Sequence, residues 1–214
     1  HTGGEASPRV IMPKPLALFF SFIFHPVLLP AYAFIVTYYT NPYLFADLNH
    51  QAVMQIFLRL IINTILFPVI AILLLKGLGL VNSIYMPEGR ERIAPYLACG
   101  LFYIWTFVVV HNTNVPGILS VILLGSCITL FVVFFINIFK KVSIHAAGMG
   151  CFIGLMLGLA VISPFNIYWL VMITVLAAGI VGTSRLSLQA HEPNEVYLGY
   201  FVGLMAQLVA FNFL

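Results

Sequence analysis

His191 and Glu195 stand four residues apart in the stretch GTSRLSLQAHEPNEVYLGY, residues 182–200. Near a helix start that spacing puts both side chains on one face. A carboxylate there can hold an imidazole in one tautomer and stabilise its cation, and an oriented imidazole can attack phosphorus as a nucleophile. Pro193 suits the first turn of such a helix, where its missing N–H costs nothing. Ser184 and Arg185 close the preceding apolar run and can reach the same phosphate, because a guanidinium fork matches phosphate oxygens. The same stretch also reads as an ordinary helix start. Glu192 and Glu195 then complement the helix dipole, and Arg185 lays its stem along lipid to bring its charge to the interface.

A second polar segment, KKVSIHAAGMG at residues 140–150, places Ser143 two residues before His145. Ser143 can cap a helix or bind a phosphate oxygen, and His145 can protonate a leaving oxygen. Lys141 adds charge beside them. The small residues that follow allow close helix packing or the close approach of a ligand. A third segment, GRERIAP at residues 89–95, carries Arg90 and Arg92.

The elements that must position these groups are set by composition. The chain has 214 residues, 62% of them hydrophobic and 7% charged, with a mean hydropathy of +1.09. A soluble domain carries about a quarter charged residues, so this chain cannot cover a water-facing surface. Seven apolar runs approach the length of a membrane span: about 15–39, 52–75, 94–111, 117–139, 144–162, 165–183 and 195–213. In lipid every backbone polar group must be satisfied within its own segment, so the runs predict helices, and their continuity excludes a barrel of alternating strands. The fold class is therefore all-α, a polytopic bundle of about seven transmembrane helices. HTGGEAS reads as an expression remnant within a tail of residues 1–14, and residues 15–214 as one integral membrane domain. HPVLLP, with His25, Pro26 and Pro30, predicts a kink in the first run, or a re-entrant hairpin. Cys99, Cys127 and Cys151 lie inside apolar runs without metal-ligand spacing and read as small core residues. A net charge of +3 with no basic run gives no sign of nucleic acid.

An even number of crossings returns a chain to the same side. Two runs separate GRERIAP from KKVSIH, and two more separate KKVSIH from SRLSLQAHEPNE, so these segments share one membrane face. The loops on the other face, TNPYLFADLNHQ, HNTNVPG and SPFN, hold no Lys or Arg. With residues 1–14 on the shared face, it receives eight of the nine Lys and Arg, which predicts a cytoplasmic site. The ninth, Arg59, lies within the second run. It is open to two readings, a functional intramembrane charge or a side chain snorkelling to the nearer interface.

Together these residues resemble the type-2 phosphatidic acid phosphatase family. Ser184-Arg185, five residues, His191, three residues and Glu195 is similar to its signature Ser-Arg, five residues, His, three residues, Asp. Ser143-Ile144-His145 resembles Pro-Ser-Gly-His, and Arg92-Ile93-Ala94-Pro95 echoes a Lys six residues before Arg-Pro. The resemblance covers about residues 76–214. It implies His191 as nucleophile, Glu195 in place of the Asp that orients it, and His145 as general acid. Arg185, Arg92 and Ser143 then bind phosphoryl oxygens, with Ser184, Arg90 and Lys141 as further candidates. It implies no metal or other cofactor, and a lipid or isoprenoid phosphate such as phosphatidic acid, phosphatidylglycerol phosphate or undecaprenyl pyrophosphate as substrate. Bacterial inner membrane is the location expected. The chain departs from the pattern at Tyr85, where the family has Lys, at Val142 and Ile144, and at Glu195. Those departures keep a second function open, a non-catalytic binder or carrier of anionic lipid head groups. A third, an unrelated transporter, predicts symmetric halves and helices broken at mid-membrane, which the sequence does not display beyond HPVLLP.

Overall fold

The computed structural model describes residues 12–79, 93–113 and 115–213. Every regular element among them is helical. In chain order the α-helices are α1 (Lys14–Ile23), α2 (Leu29–Thr40), α3 (His50–Ile61), α4 (Phe67–Gly77), α5 (Ile93–His111), α6 (Gly117–Phe139), α7 (Ile144–Ile162), α8 (Tyr168–Ser187) and α9 (Pro193–Ala210). They make seven segments long and apolar enough to cross a membrane, with α1–α2 counted as one and α3–α4 as another. This is a polytopic bundle of an integral membrane protein, and six of its seven spans begin and end within about three residues of the hydropathy boundaries. The sixth is the exception, and its displaced end bears on the site.

The first span is one crossing with a break, not a hairpin. Pro26 has no N–H to give, so α1 stops at Phe24 and a short 3-10 turn, Pro26–Leu28, leads into α2. The Tyr32 hydroxyl donates to the Ile23 carbonyl at 3.1 Å, satisfying one of the groups the break exposes. The start of the span is tied to α8, where Met12 N–H donates to Ser187 Oγ at 3.0 Å. Beyond its far end, the Tyr43 hydroxyl reaches the Ile162 carbonyl at the end of α7. In the second span a π-helical turn, Ile62–Leu66, precedes Pro68 and absorbs the register change that the proline imposes. Arg59 is exposed on its outer side.

Small residues bring α7 and α9 backbone to backbone. A Cβ on Gly199 would stand 2.6 Å from the Ser143 carbonyl, and one on Gly203 would collide with the Ala147 carbonyl. Gly199 and Gly203 form a GxxxG step that faces Ala146, Ala147 and Cys151 of α7, while Gly150 of α7 lies against the Tyr200 backbone. The small residues of AAGMG therefore serve helix packing. Lower in the same seam buried Gln207 accepts from Cys151 Sγ at 3.2 Å and donates to the Val121 carbonyl at 3.3 Å, linking α6, α7 and α9. All three cysteines are buried and free.

The described helix ends that flank the three polar segments lie together. Ser143 N–H, before α7, donates to the Glu195 carbonyl in the first turn of α9 at 3.2 Å. The rings of Tyr96 and Phe134 meet 6.4 Å apart, so α5 starts beside the end of α6. The starts of α1, α5, α7 and α9 and the ends of α6 and α8 thus lie at one end of the bundle.

Candidate active site

α8 continues to Ser187, one turn past the hydropathy boundary at 183. It closes with Gln189 at φ 53°, Ala190 N–H on the Arg185 carbonyl at 3.1 Å and Gln189 N–H on the Leu186 carbonyl at 2.9 Å. This is a Schellman ending with glutamine where glycine is usual, which is why no glycine marks it in the sequence. The left-handed conformation costs an L-residue about 1 kcal/mol. Its effect is to place Arg185 inside the last helical turn and to release the chain at His191.

His191 then stands just before α9. Its Nδ1 lies 2.8 Å from Glu195 Oε2, and the two side chains are 7% and 12% exposed. The same carboxylate oxygen accepts the Glu192 backbone N–H at 3.2 Å. Glu195 therefore caps α9 and takes the imidazole Nδ1–H together, leaving the lone pair on Nε2. Burial lowers the His191 pKa from 6.5 to about 4, and the charges of Arg185 and Lys141 act in the same direction. The hydrogen bond to Glu195 opposes them in part. At neutral pH the ring is uncharged, with its lone pair on Nε2.

Arg185 donates through Nη1 to Ser21 Oγ at 3.3 Å. His145, in the first turn of α7, points Nε2 at the Ser21 carbonyl at 3.2 Å. The His25 ring meets the His145 ring edge-on, centroids 5.2 Å apart and planes at 88°. Arg185 and His191 both act electrostatically on His145, so the three motif side chains share one region. Lys141 is exposed beside it.

Two motif hydroxyls are turned elsewhere. Ser143 caps α7, its Oγ accepting Ala146 N–H at 3.4 Å, and it is fully buried. Ser184 Oγ donates to the Ile180 carbonyl at 2.8 Å and lies 3.6 Å from Met12 Sδ. Arg90, Arg92 and Tyr85 lie outside the described residues. The described residues hold no group of three or more His, Cys, Asp or Glu side chains that could bind a metal ion.

The sequence did not point to Ser21 or to a site role for His25. His25 reads there as a kink residue, which it is, and the only further signal is that Ser21 and His25 stand four apart in an apolar run. No protein-family model matches the chain, and comparisons with curated proteins and with solved structures find no similar one.

Proposed function

We propose that this protein is a metal-independent membrane phosphatase of the type-2 phosphatidic acid phosphatase kind, acting on a lipid or isoprenoid phosphate or pyrophosphate. The observation that carries this is the His191–Glu195 pair. A half-buried carboxylate 2.8 Å from Nδ1 leaves Nε2 unprotonated and ready to accept positive charge. In the reaction Nε2 attacks phosphorus and the bond from phosphorus to the leaving oxygen breaks. His145 gives that oxygen its proton. Water then attacks the phosphohistidine, His145 takes the water's proton, and phosphate leaves with His191 restored. Arg185 neutralises charge on the phosphoryl oxygens, with Lys141 nearby and Arg90 and Arg92 as further cations. The excess of Lys and Arg on the site face favours a cytoplasmic site in a bacterial inner membrane.

A second reading, a non-catalytic binder of anionic lipid head groups, is favoured by the engagement of the Ser143 and Ser184 hydroxyls with backbone groups. Purified protein in detergent, given a panel of lipid phosphates with EDTA present, separates the two. The phosphatase releases phosphate, and His191→Ala abolishes the release. Binding without turnover, or turnover that survives His191→Ala, rejects the phosphatase.

A further inference from the structure

The break in the first span exposes a carbonyl that the site uses. An α-helix leaves its last carbonyls without partners of their own. Had α1 continued, the Ser21 carbonyl would receive the His25 N–H. Because Pro26 ends the helix, His25 N–H turns instead to Phe22 O at 3.2 Å. The Ser21 carbonyl then meets His145 Nε2 at 3.2 Å, while the Ser21 hydroxyl accepts Arg185 Nη1 at 3.3 Å. Ser21 is buried, so both bonds form away from competing water.

We infer that Ser21 is a positioning residue of the phosphate site, its carbonyl fixing the tautomer of His145 and its hydroxyl fixing the reach of Arg185. The role rests on the phosphatase reading above and extends it, since it makes the broken first span a working part of the site. With Nε2–H committed to Ser21, Nδ1 is the atom of His145 that exchanges protons: bare in the resting ring, it takes a proton from the monoanionic phosphate substrate and passes it to the leaving oxygen, then takes the water's proton in the second step and returns it to the departing phosphate. The His25 ring, edge-on to His145, limits how far that imidazole can rotate. Met12 N–H on Ser187 Oγ holds the opposite end of α1, so the helix is anchored to the last turn of α8 at both ends. The groups that face His145 come from three directions: His25 from the first span, Arg185 from α8 and His191 from the turn before α9.

The test uses the full chain in detergent with Ser21→Ala and Ser21→Thr, orthovanadate as the phosphate probe, and 15N-histidine NMR. Loss of one charge-assisted hydrogen bond weakens vanadate binding about fivefold in Ser21→Ala and raises KM similarly. Ser21→Thr keeps the hydroxyl and stays close to wild type, which a purely structural role for Ser21 does not require. The NMR signal that disappears in His145→Ala is expected in the Nε2–H form, and it persists in Ser21→Ala because the carbonyl remains. Unchanged vanadate affinity and KM in Ser21→Ala, or an Nδ1–H form of His145 in the wild type, overturns the role. Ser21-dependent vanadate binding without lipid phosphate turnover removes the phosphatase and leaves Ser21 in place. Turnover with an unaffected Ser21→Ala variant does the reverse, and absence of both binding and turnover overturns both.

Discussion

Glu195 is the residue where resemblance and geometry predict different outcomes. In the signature that this stretch resembles the position is Asp, so on resemblance alone Glu195→Asp ought to give a better catalyst. The structure says otherwise. Glu195 reaches back from the third position of α9 to place Oε2 2.8 Å from His191 Nδ1. Removing one methylene withdraws that oxygen by about 1.5 Å, beyond hydrogen-bond range of both Nδ1 and the Glu192 N–H. Glu195→Gln is a cleaner perturbation, because the amide oxygen can still accept Nδ1–H and only the charge is lost. Opposite charges about 4 Å apart interact by about 4 kcal/mol at the effective dielectric of a protein site. The low exposure of both side chains, 7% and 12%, keeps solvent screening small. With about half of the imidazolium charge developed in the transition state, about 2 kcal/mol is lost, roughly 30-fold in kcat. The assay is phosphate release from phosphatidic acid, phosphatidylglycerol phosphate and undecaprenyl pyrophosphate at saturating substrate, with EDTA present. Both variants should fall below wild type in kcat. Wild-type kcat in Glu195→Gln, or a faster Glu195→Asp, shows that the pair is a helix cap and nothing more.

Three further outcomes follow from the same geometry. Catalysis needs His191 unprotonated, and its pKa is lowered from 6.5 to about 4, so kcat/KM should hold well below pH 6.5 and decline only as pH falls through about 4. Glu195 raises that pKa, so Glu195→Gln should move the acid limb lower still, and a wild-type limb near the ordinary histidine value contradicts the assigned environment. Ser184→Ala should leave KM nearly unchanged, because its hydroxyl is bonded to the Ile180 carbonyl; a large rise in KM returns Ser184 to the phosphate. Gly203→Ala drives a methyl into the Ala147 carbonyl and should destabilise by about 1–3 kcal/mol, read as a lower Tm in detergent. Gly179→Ala, with no atom within 4 Å, serves as the tolerated control.

The membrane class and the crossing order were legible in the sequence because apolar run length is a direct physical constraint in lipid. Counting crossings alone brought His145, Arg185 and His191 to one end. The end of α8 was hidden, since its Schellman turn uses Gln189 and no glycine announces it. Motif spacing identified His191 and Glu195 as a pair, and they meet, with Glu195 in the first turn of α9 and His191 just before it. It could not say where the Ser143 and Ser184 hydroxyls turn, because each has a local backbone acceptor or donor within four residues. Ser21 carries no spacing to any motif. Its role depends on a carbonyl released by Pro26 and on contacts to residues far along the chain, which only the packing of α1 against α7 and α8 supplies.

The central claim is that His191 Nε2 becomes covalently phosphorylated. Protein incubated with 32P-labelled lipid phosphate and quenched in alkali should carry label that is stable to base, labile to acid, and located on the peptide bearing His191. The label should be absent from His191→Ala and should accumulate in a variant slowed at the water step, such as His145→Gln. Phosphate release by the wild type with no such label, or equal label in His191→Ala, contradicts the account.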